Sequence, residues 1–361
     1  MEVEDFVKKW FGLYYRANIG DIMPPEGLSL REFGFIIFKG KTMLRHKGFR
    51  DPSELKKFIN DIVPADAYHS SAYYERPEAE MDEKGWLGSD LVFDIDADHL
   101  SLPCKLKHDR WICTNCCKSG MGSAPENCPE CGGKIREENW ICEECLNTAK
   151  REVIKLVDFL MDDFGLSQEE LQVNFTGHRG YHVHAISDKV RSLGREERKE
   201  VVDYVTGTGI DLAFLDSHRG SDFFDAPNWI MKIRGRLDSK TSILKGKKKL
   251  IKAIQEAINE TSVEIDTVDT TDIHRLIRIV GTLNSKTGMR VVKIPLKRID
   301  IFDPFKDAIA IKGDEAKMYV EEAPKFRLVD HEYGPYNKIK LDLPIEAAVL
   351  LACKGRAYPI L

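Results

Sequence analysis

The chain has 361 residues, 42% of them hydrophobic, which fits a soluble globular protein of one large or two modest domains and excludes a disordered chain. No apolar run approaches the roughly 20 residues needed to cross a bilayer, and the acidic opening Met1-Glu2-Val3-Glu4-Asp5 is unlike a secretory signal, so a cytoplasmic protein without membrane association is expected. The formal net charge of −5 gives no global attraction for nucleic acid, and any such binding must come from local basic patches such as Lys39 to Arg50 and Lys245 to Lys252.

In chain order, the first chemically informative element is the apolar, β-favouring stretch Trp86 to Phe93, which reads as a buried strand and runs into Phe93-Asp94-Ile95-Asp96-Ala97-Asp98. Side chains alternate along a strand, so Asp94 and Asp96 are expected on one face where a core strand emerges. Neighbouring carboxylates repel one another unless cations lie between them. Mg²⁺ typically takes one or two protein carboxylates and completes its shell with water and phosphate oxygens. In a two-metal site the ions lie roughly 3.5–4 Å apart, one at the attacking oxygen and one at the leaving oxygen. The pattern therefore points to phosphoryl or nucleotidyl transfer.

Eight of the nine cysteines fall between Cys104 and Cys145, largely as Cys-x-x-Cys pairs, which favours metal over disulfides. Cys113, Cys116, Cys128 and Cys131, with Pro129 and Gly132-Gly133, have the knuckle-and-turn spacing of a zinc ribbon, in which backbone amides hydrogen-bond the thiolates. Cys104, His108, Cys142 and Cys145 remain as a second set that encloses the first, leaving Cys117 spare. This nested grouping is preferred. A sequential grouping would place Cys104, His108, Cys113 and Cys116 together and Cys128, Cys131, Cys142 and Cys145 together. Either way each site has four protein ligands and no place for water, so two structural Zn²⁺ ions are expected and a catalytic zinc is not.

Helical periodicity runs from Thr148 to Phe164 through Val153, Leu156, Val157, Leu160 and Met161, and ends at Gly165. A strand through Val173-Asn174-Phe175 follows, then Thr176-Gly177-His178-Arg179-Gly180-Tyr181-His182-Val183-His184. Its two glycines permit a tight turn with backbone close to a ligand, Arg179 and His182 are suited to an anionic group, and alternation puts His182 and His184 on one side. The basic run Lys245 to Lys249 precedes an amphipathic stretch through Leu250, Ile251, Ile254 and Ile258 and reads as a solvated helix start. Farther on come Asp266, the arginine pair Arg275 and Arg278, and the turn Gly281-Thr282-Leu283-Asn284-Ser285-Lys286-Thr287-Gly288. No Walker loop is present, so scattered cationic side chains are the expected triphosphate ligands.

These pieces, together with Arg31 to Phe35, Met43 to His46 and Ser71 to Glu75, resemble the small catalytic subunit of the archaeal and eukaryotic type of DNA primase over nearly the whole chain. The resemblance implies a mixed α/β catalytic fold from segments 1–100, 146–190 and 261–361, a zinc-binding insertion over 101–145 and a small helical subdomain over 191–260. It implies that Asp94, Asp96 and Asp266 are the three catalytic carboxylates that hold Mg²⁺ or Mn²⁺. It places Arg45, Thr176, His178, Arg179, His182, Arg278, Asn284 and Lys286 at the incoming nucleotide. It also implies primer synthesis de novo from NTPs or dNTPs on single-stranded DNA, beside a large subunit carrying an iron–sulfur domain. A template read by base pairing needs only backbone and stacking contacts from the protein, and Tyr73, Tyr74 and the Lys39 to Arg50 patch are candidate contributors to them.

Three departures stand out. Asn284 occupies a position where the family usually has histidine, His178 replaces an arginine, and the cysteine segment is longer than a single-site knob. Two other readings fit the motifs: a primer-extending repair polymerase of the same superfamily, and a zinc-ribbon nucleic-acid-binding scaffold with a silent acidic site. The scaffold predicts no NTP consumption and template binding insensitive to Asp94 and Asp96, and the three acids together argue against it.

Overall fold

A computed structural model describes residues 2–210, 229–237 and 247–360. Its centre is two four-stranded antiparallel sheets. The first runs in the order Leu276–Arg278, Asp66–Ser70, Phe33–Ile36, Met43–Lys47. The second runs Val292–Ile294, Leu171–Phe175, Gly180–Ala185, Leu91–Asp96. Alternation in the last strand buries Leu91, Phe93 and Ile95 in the main core, which leaves Asp94 and Asp96 together on the opposite face.

The helix expected over Thr148 to Phe164 is longer at its start, spanning Glu143–Asp162. Cys142 is its N-cap, and Glu143 and Glu144 fill the first turn, where carboxylates complement the helix dipole. Ala149, Val153, Leu156, Val157 and Leu160 recur at helical spacing and are buried. Gly165 lies past the helix end at φ +65°, and the Leu166 amide bonds back to the Leu160 carbonyl. This helix packs across the strands that carry the aspartates and histidines.

The stretch Trp86 to Phe93 is two strands, Trp86–Ser89 and Leu91–Asp96, in different sheets. Asp90 divides them. Its carboxylate is buried and accepts Arg31 Nη2 at 2.6 Å and the Tyr73 hydroxyl at 3.0 Å, while its carbonyl accepts Arg198 Nη1 at 3.0 Å. A buried charge needs such donors, and the chain leaves one sheet for the other where they converge.

A three-stranded ribbon, ordered Ser119–Met121, Arg110–Cys113, Ile135–Glu138, forms between the first and last cysteines. A C-terminal sheet, ordered Tyr336–Pro344, Glu315–Ala323, Ala357–Pro359, packs with the helix Ile345–Cys353. Within the 191–260 region lie helices Arg195–Thr206, Trp229–Leu237 and Lys247–Thr261. Ile233 of the second meets Ile254, Ala257 and Ile258 of the third in a small cluster separate from the main core. Of the basic run, Lys245 and Gly246 lie outside the described residues, and Leu250 is described only as part of its helix. Among the described residues, no helix is long and apolar enough to cross a membrane. The architecture is mixed α/β.

Candidate active site

The Leu91–Asp96 strand pairs antiparallel with Gly180–Ala185, setting Asp94 opposite His182 and Asp96 opposite Gly180. A Cβ on Gly180 would stand 2.7 Å from the Ile95 carbonyl oxygen and 3.0 Å from Asp96 Cα, so only glycine lets the basic turn approach the acidic strand this closely. Asp94 and Asp96 both face a pocket of about 150 Å³ shared with Thr176, His178, His182 and Arg278.

Asp266 arrives from a distant part of the chain. Its amide donates to the Asp94 carbonyl at 2.9 Å in a single antiparallel bridge. Its side chain caps the helix Thr267–Thr271, with Oδ1 accepting the amides of Val268 and Asp269 at 3.0 Å each. Oδ2 lies 3.2 Å from His99 Nε2, in an adjoining pocket of about 330 Å³ that Asp96 also lines. The oxygens of the three carboxylates do not all lie within 4.8 Å of one another, unlike the ligand atoms of the cysteine groups.

Two features lower the repulsion among the acids. Arg275 Nη2 pairs with Asp94 Oδ2 and, at 2.8 Å, with Asp269. Burial pushes the Asp96 carboxyl up to about 6, reinforced by the charges of Asp98 and Asp94. Both point to a place where positive charge is in demand. Carboxylate oxygens suit a hard divalent cation, and Asp94, Asp96 and Asp266, whose Oδ2 faces only His99, are the groups present that could hold one.

His182 and His184 share a side of their strand, with ring centroids 5.9 Å apart. His182 Nε2 lies 3.8 Å from Asp94 Oδ1. Burial, then the charges of Arg275 and Arg278, hold the His182 imidazole well below its usual range, so it is neutral near neutral pH.

Two turns face the carboxylates across the pocket. Gly177 stands at φ +80°, and a Cβ there would meet the Met289 carbonyl at 3.0 Å. The Asn284 carboxamide donates to the Thr176 carbonyl at 2.9 Å and accepts the Lys286 amide at 2.9 Å. Asn284 therefore clasps the turns together. Arg278 pairs with buried Asp66, which also accepts the Ser285 amide at 3.0 Å and hydroxyl at 2.6 Å. Lys286 is exposed at the rim.

Not every expected nucleotide residue points into this pocket. Arg179 is wholly buried and turned the other way, with Nη1 2.8 Å from Asp109 and 3.0 Å from Asp98, and Nη2 donating to Cys145 Sγ at 3.5 Å. It ties the turn to the cysteine segment. Arg45 lies on the edge strand Met43–Lys47, its Nε donating to buried Glu32 at 3.1 Å. Tyr73 and Tyr74 are buried, their hydroxyls bonded to Asp90 and to His274 Nδ1 at 3.0 Å each, which removes them as stacking platforms for template bases. Sequence reasoning missed His99 and Asp66. Arg275 was visible as half of an arginine pair, but its position over Asp94 was not.

The cysteines form two groups. Cys104, His108, Cys142 and Cys145 lie together, as do Cys113, Cys116, Cys128 and Cys131, with all ligand atoms of each group within 4.8 Å. Sulfur pairs stand at 3.5 Å for Cys104 with Cys145, 3.5 Å for Cys113 with Cys131 and 3.6 Å for Cys116 with Cys128. A tetrahedron with Zn–S bonds of roughly 2.3 Å has edges of roughly 3.8 Å, so both groups fit zinc. The amides of Asn115 and Cys116 approach Cys113 Sγ at 3.3 and 3.5 Å. Asp109 lies 2.8 Å from His108 Nδ1, which leaves Nε2 to face Cys145.

A family model described as DNA primase small subunit matches residues 124–296, which include the basic turn, Asp266 and the segment from Arg275 to Gly288. DNA primase small subunit PriS of Archaeoglobus fulgidus is 36% identical, with 98% of this chain and 97% of that protein aligned. The same protein of Cenarchaeum symbiosum is 34% identical over 96% of each chain. The chain belongs to the DNA primase small subunit family. A further member, from Pyrobaculum aerophilum, is 34% identical over 98% of this chain and 91% of its own length. Aligned over nearly the whole length of these relatives, the chain carries both the acidic strand, which lies before the segment matched by the family model, and the two turns within it.

Proposed function

We propose that this chain is the catalytic subunit of a DNA primase that joins nucleoside triphosphates into short primers on a single-stranded DNA template, with the 3′-hydroxyl of one nucleotide attacking the α-phosphate of the next and pyrophosphate leaving. The observation that carries the reading is the pair Asp94 and Asp96 on one strand face, with Asp266 bonded beside them and Arg275, Arg278 and Lys286 lining the same small pocket. Bound Mg²⁺ or Mn²⁺ would lower the charge on the reacting phosphate and favour the attacking and leaving oxygens.

The chain's own residues bind and orient. Arg275 neutralises Asp94 and has Asp269 as a second partner, which would hold it if Asp94 ligated a cation. Arg278, held by Asp66, and Lys286 would neutralise the triphosphate, and Thr176 and Gly177 would bring backbone close to it. His182, neutral beside Asp94, offers a hydrogen bond without adding charge. Arg179 supports the turn from behind. The basic edge from Lys39 to Arg50, with Arg45 fixed on Glu32, offers template phosphates a sequence-independent contact. Both cysteine groups would hold structural Zn²⁺. The partner implied by the small-subunit family is a separate large subunit, expected to be an iron–sulfur protein.

The test is product analysis on single-stranded DNA with NTPs or dNTPs and no primer, with and without the large subunit. Short products that disappear in Asp94→Asn support the reading. Products formed only when a primer is supplied would identify a primer-extending polymerase instead, and template binding without nucleotide consumption would identify a scaffold.

A further inference from the structure

A groove of about 800 Å³ runs between the cysteine ribbon and the C-terminal sheet and shares His178 and Lys286 with the carboxylate pocket. The two ends of the groove differ in charge balance. At the far end Arg110, Arg136 and Arg356 all pair with Glu138, and Arg110 also reaches Glu322. At the shared end lies Lys354, which caps the helix Ile345–Cys353. Its Nζ donates to the Asn139 carbonyl at 2.9 Å and to His178 Nε2 at 2.7 Å. Among the described residues neither Lys354 nor Lys286 has an ion-pair partner.

Lys354 is half-buried, and the one groove carboxylate that acts on it, Asp98, is already paired with Arg179 at 3.0 Å, so the ammonium has charge to spare for an anionic ligand. We propose that Lys354 is a polyphosphate-binding residue, which with Lys286 grips the terminal phosphates of the incoming nucleotide and the pyrophosphate that leaves. This rests on the nucleotidyl-transfer reading of the same site. It accounts for both departures in the basic turns: His178 and Asn284 carry no charge, and the cation comes from the C-terminal helix. Burial, then the charges of Arg179 and Lys286, push the Lys354 ammonium down to about 7, and an arriving phosphate restores its proton. Burial, with the Lys354 charge next, likewise holds His178 well below its usual range, so His178 accepts the lysine hydrogen bond as a neutral ring.

The experiment compares the full-length protein with Lys354→Gln, which keeps a donor for Asn139 and His178 but loses the charge, and Lys354→Arg, which keeps the charge. Affinities for inorganic tripolyphosphate and for a nucleoside monophosphate are measured by calorimetry, with KM and kcat for primer synthesis. Lys354→Gln is expected to weaken tripolyphosphate binding and raise KM by about tenfold, leaving kcat and monophosphate affinity within about twofold, and Lys354→Arg is expected to recover most of the loss. Unchanged tripolyphosphate affinity in Lys354→Gln, or equal losses for both ligands, would overturn the inference. On the wild-type protein, tripolyphosphate is expected to protect Lys354 from acylation, and equal labelling with and without it would also overturn the inference. A protein that makes no primer yet binds tripolyphosphate through Lys354 refutes primase activity and leaves the inference standing.

Discussion

Replacing Asp96 by asparagine should make the metal-free protein more stable while abolishing its chemistry. The carboxyl is raised from 3.8 to about 6 by burial and by Asp98 and Asp94. That gap corresponds to about 3 kcal/mol at 1.36 kcal/mol per pH unit. Because the folded-state value is the higher one, protonated Asp96 supports the fold below about pH 4 and the support is lost as pH rises through about 6. Asparagine removes the penalty and keeps the oxygen that accepts the Asp98 amide at 2.8 Å. Integrating the two titrations gives Asp96→Asn about half of that advantage at pH 5 and nearly all of it at pH 7.5. Urea unfolding of both proteins at the two pH values, in buffer free of Mg²⁺ and Mn²⁺, measures it. Saturating Mn²⁺ should shrink the advantage at pH 7.5, because the cation supplies the missing charge to the aspartate only. A difference that ignores pH, or one that Mn²⁺ leaves intact, would refute the reasoning.

Metal analysis should find two zinc ions per chain, with Cys128→Ser losing one and leaving the melting of the main body unchanged. Cys145→Ser should lose the other and also lower that melting temperature, since Cys145 opens the long helix and contacts Arg179. Gly180→Ala should cost roughly 1–3 kcal/mol in urea unfolding and depress kcat, because the added carbon meets the backbone of Ile95 and Asp96. Arg278→Met should raise KM for NTP and destabilise the protein by roughly 3–5 kcal/mol in the same assay, leaving Asp66 buried without its cation.

Local periodicity made part of this site legible. Alternation alone puts Asp94 and Asp96 on one face and His182 beside His184, and knuckle spacing gathers the ribbon cysteines, because these arrangements follow from backbone geometry over a few residues. The division at Asp90 was not legible, since it depends on Arg31, Tyr73 and Arg198 arriving from elsewhere. The direction of Arg179 was hidden for the same reason: a cation two residues past a glycine serves a phosphate or a buried carboxylate equally well, and Asp109 decides. Asp266 reads from sequence as one acid among several, and only the backbone bridge to Asp94 sets it apart. Lys354 lies at the end of an apolar helix with no motif around it, and its place beside His178 comes from packing alone.

The most direct test of the account is the number of Mn²⁺ ions bound in the presence of a non-hydrolysable NTP, measured by electron paramagnetic resonance. The wild-type protein should take up about two per chain, and Asp94→Asn combined with Asp96→Asn should take up none while keeping its zinc. Equal Mn²⁺ uptake by the two proteins would contradict the assignment of these carboxylates to the catalytic metals.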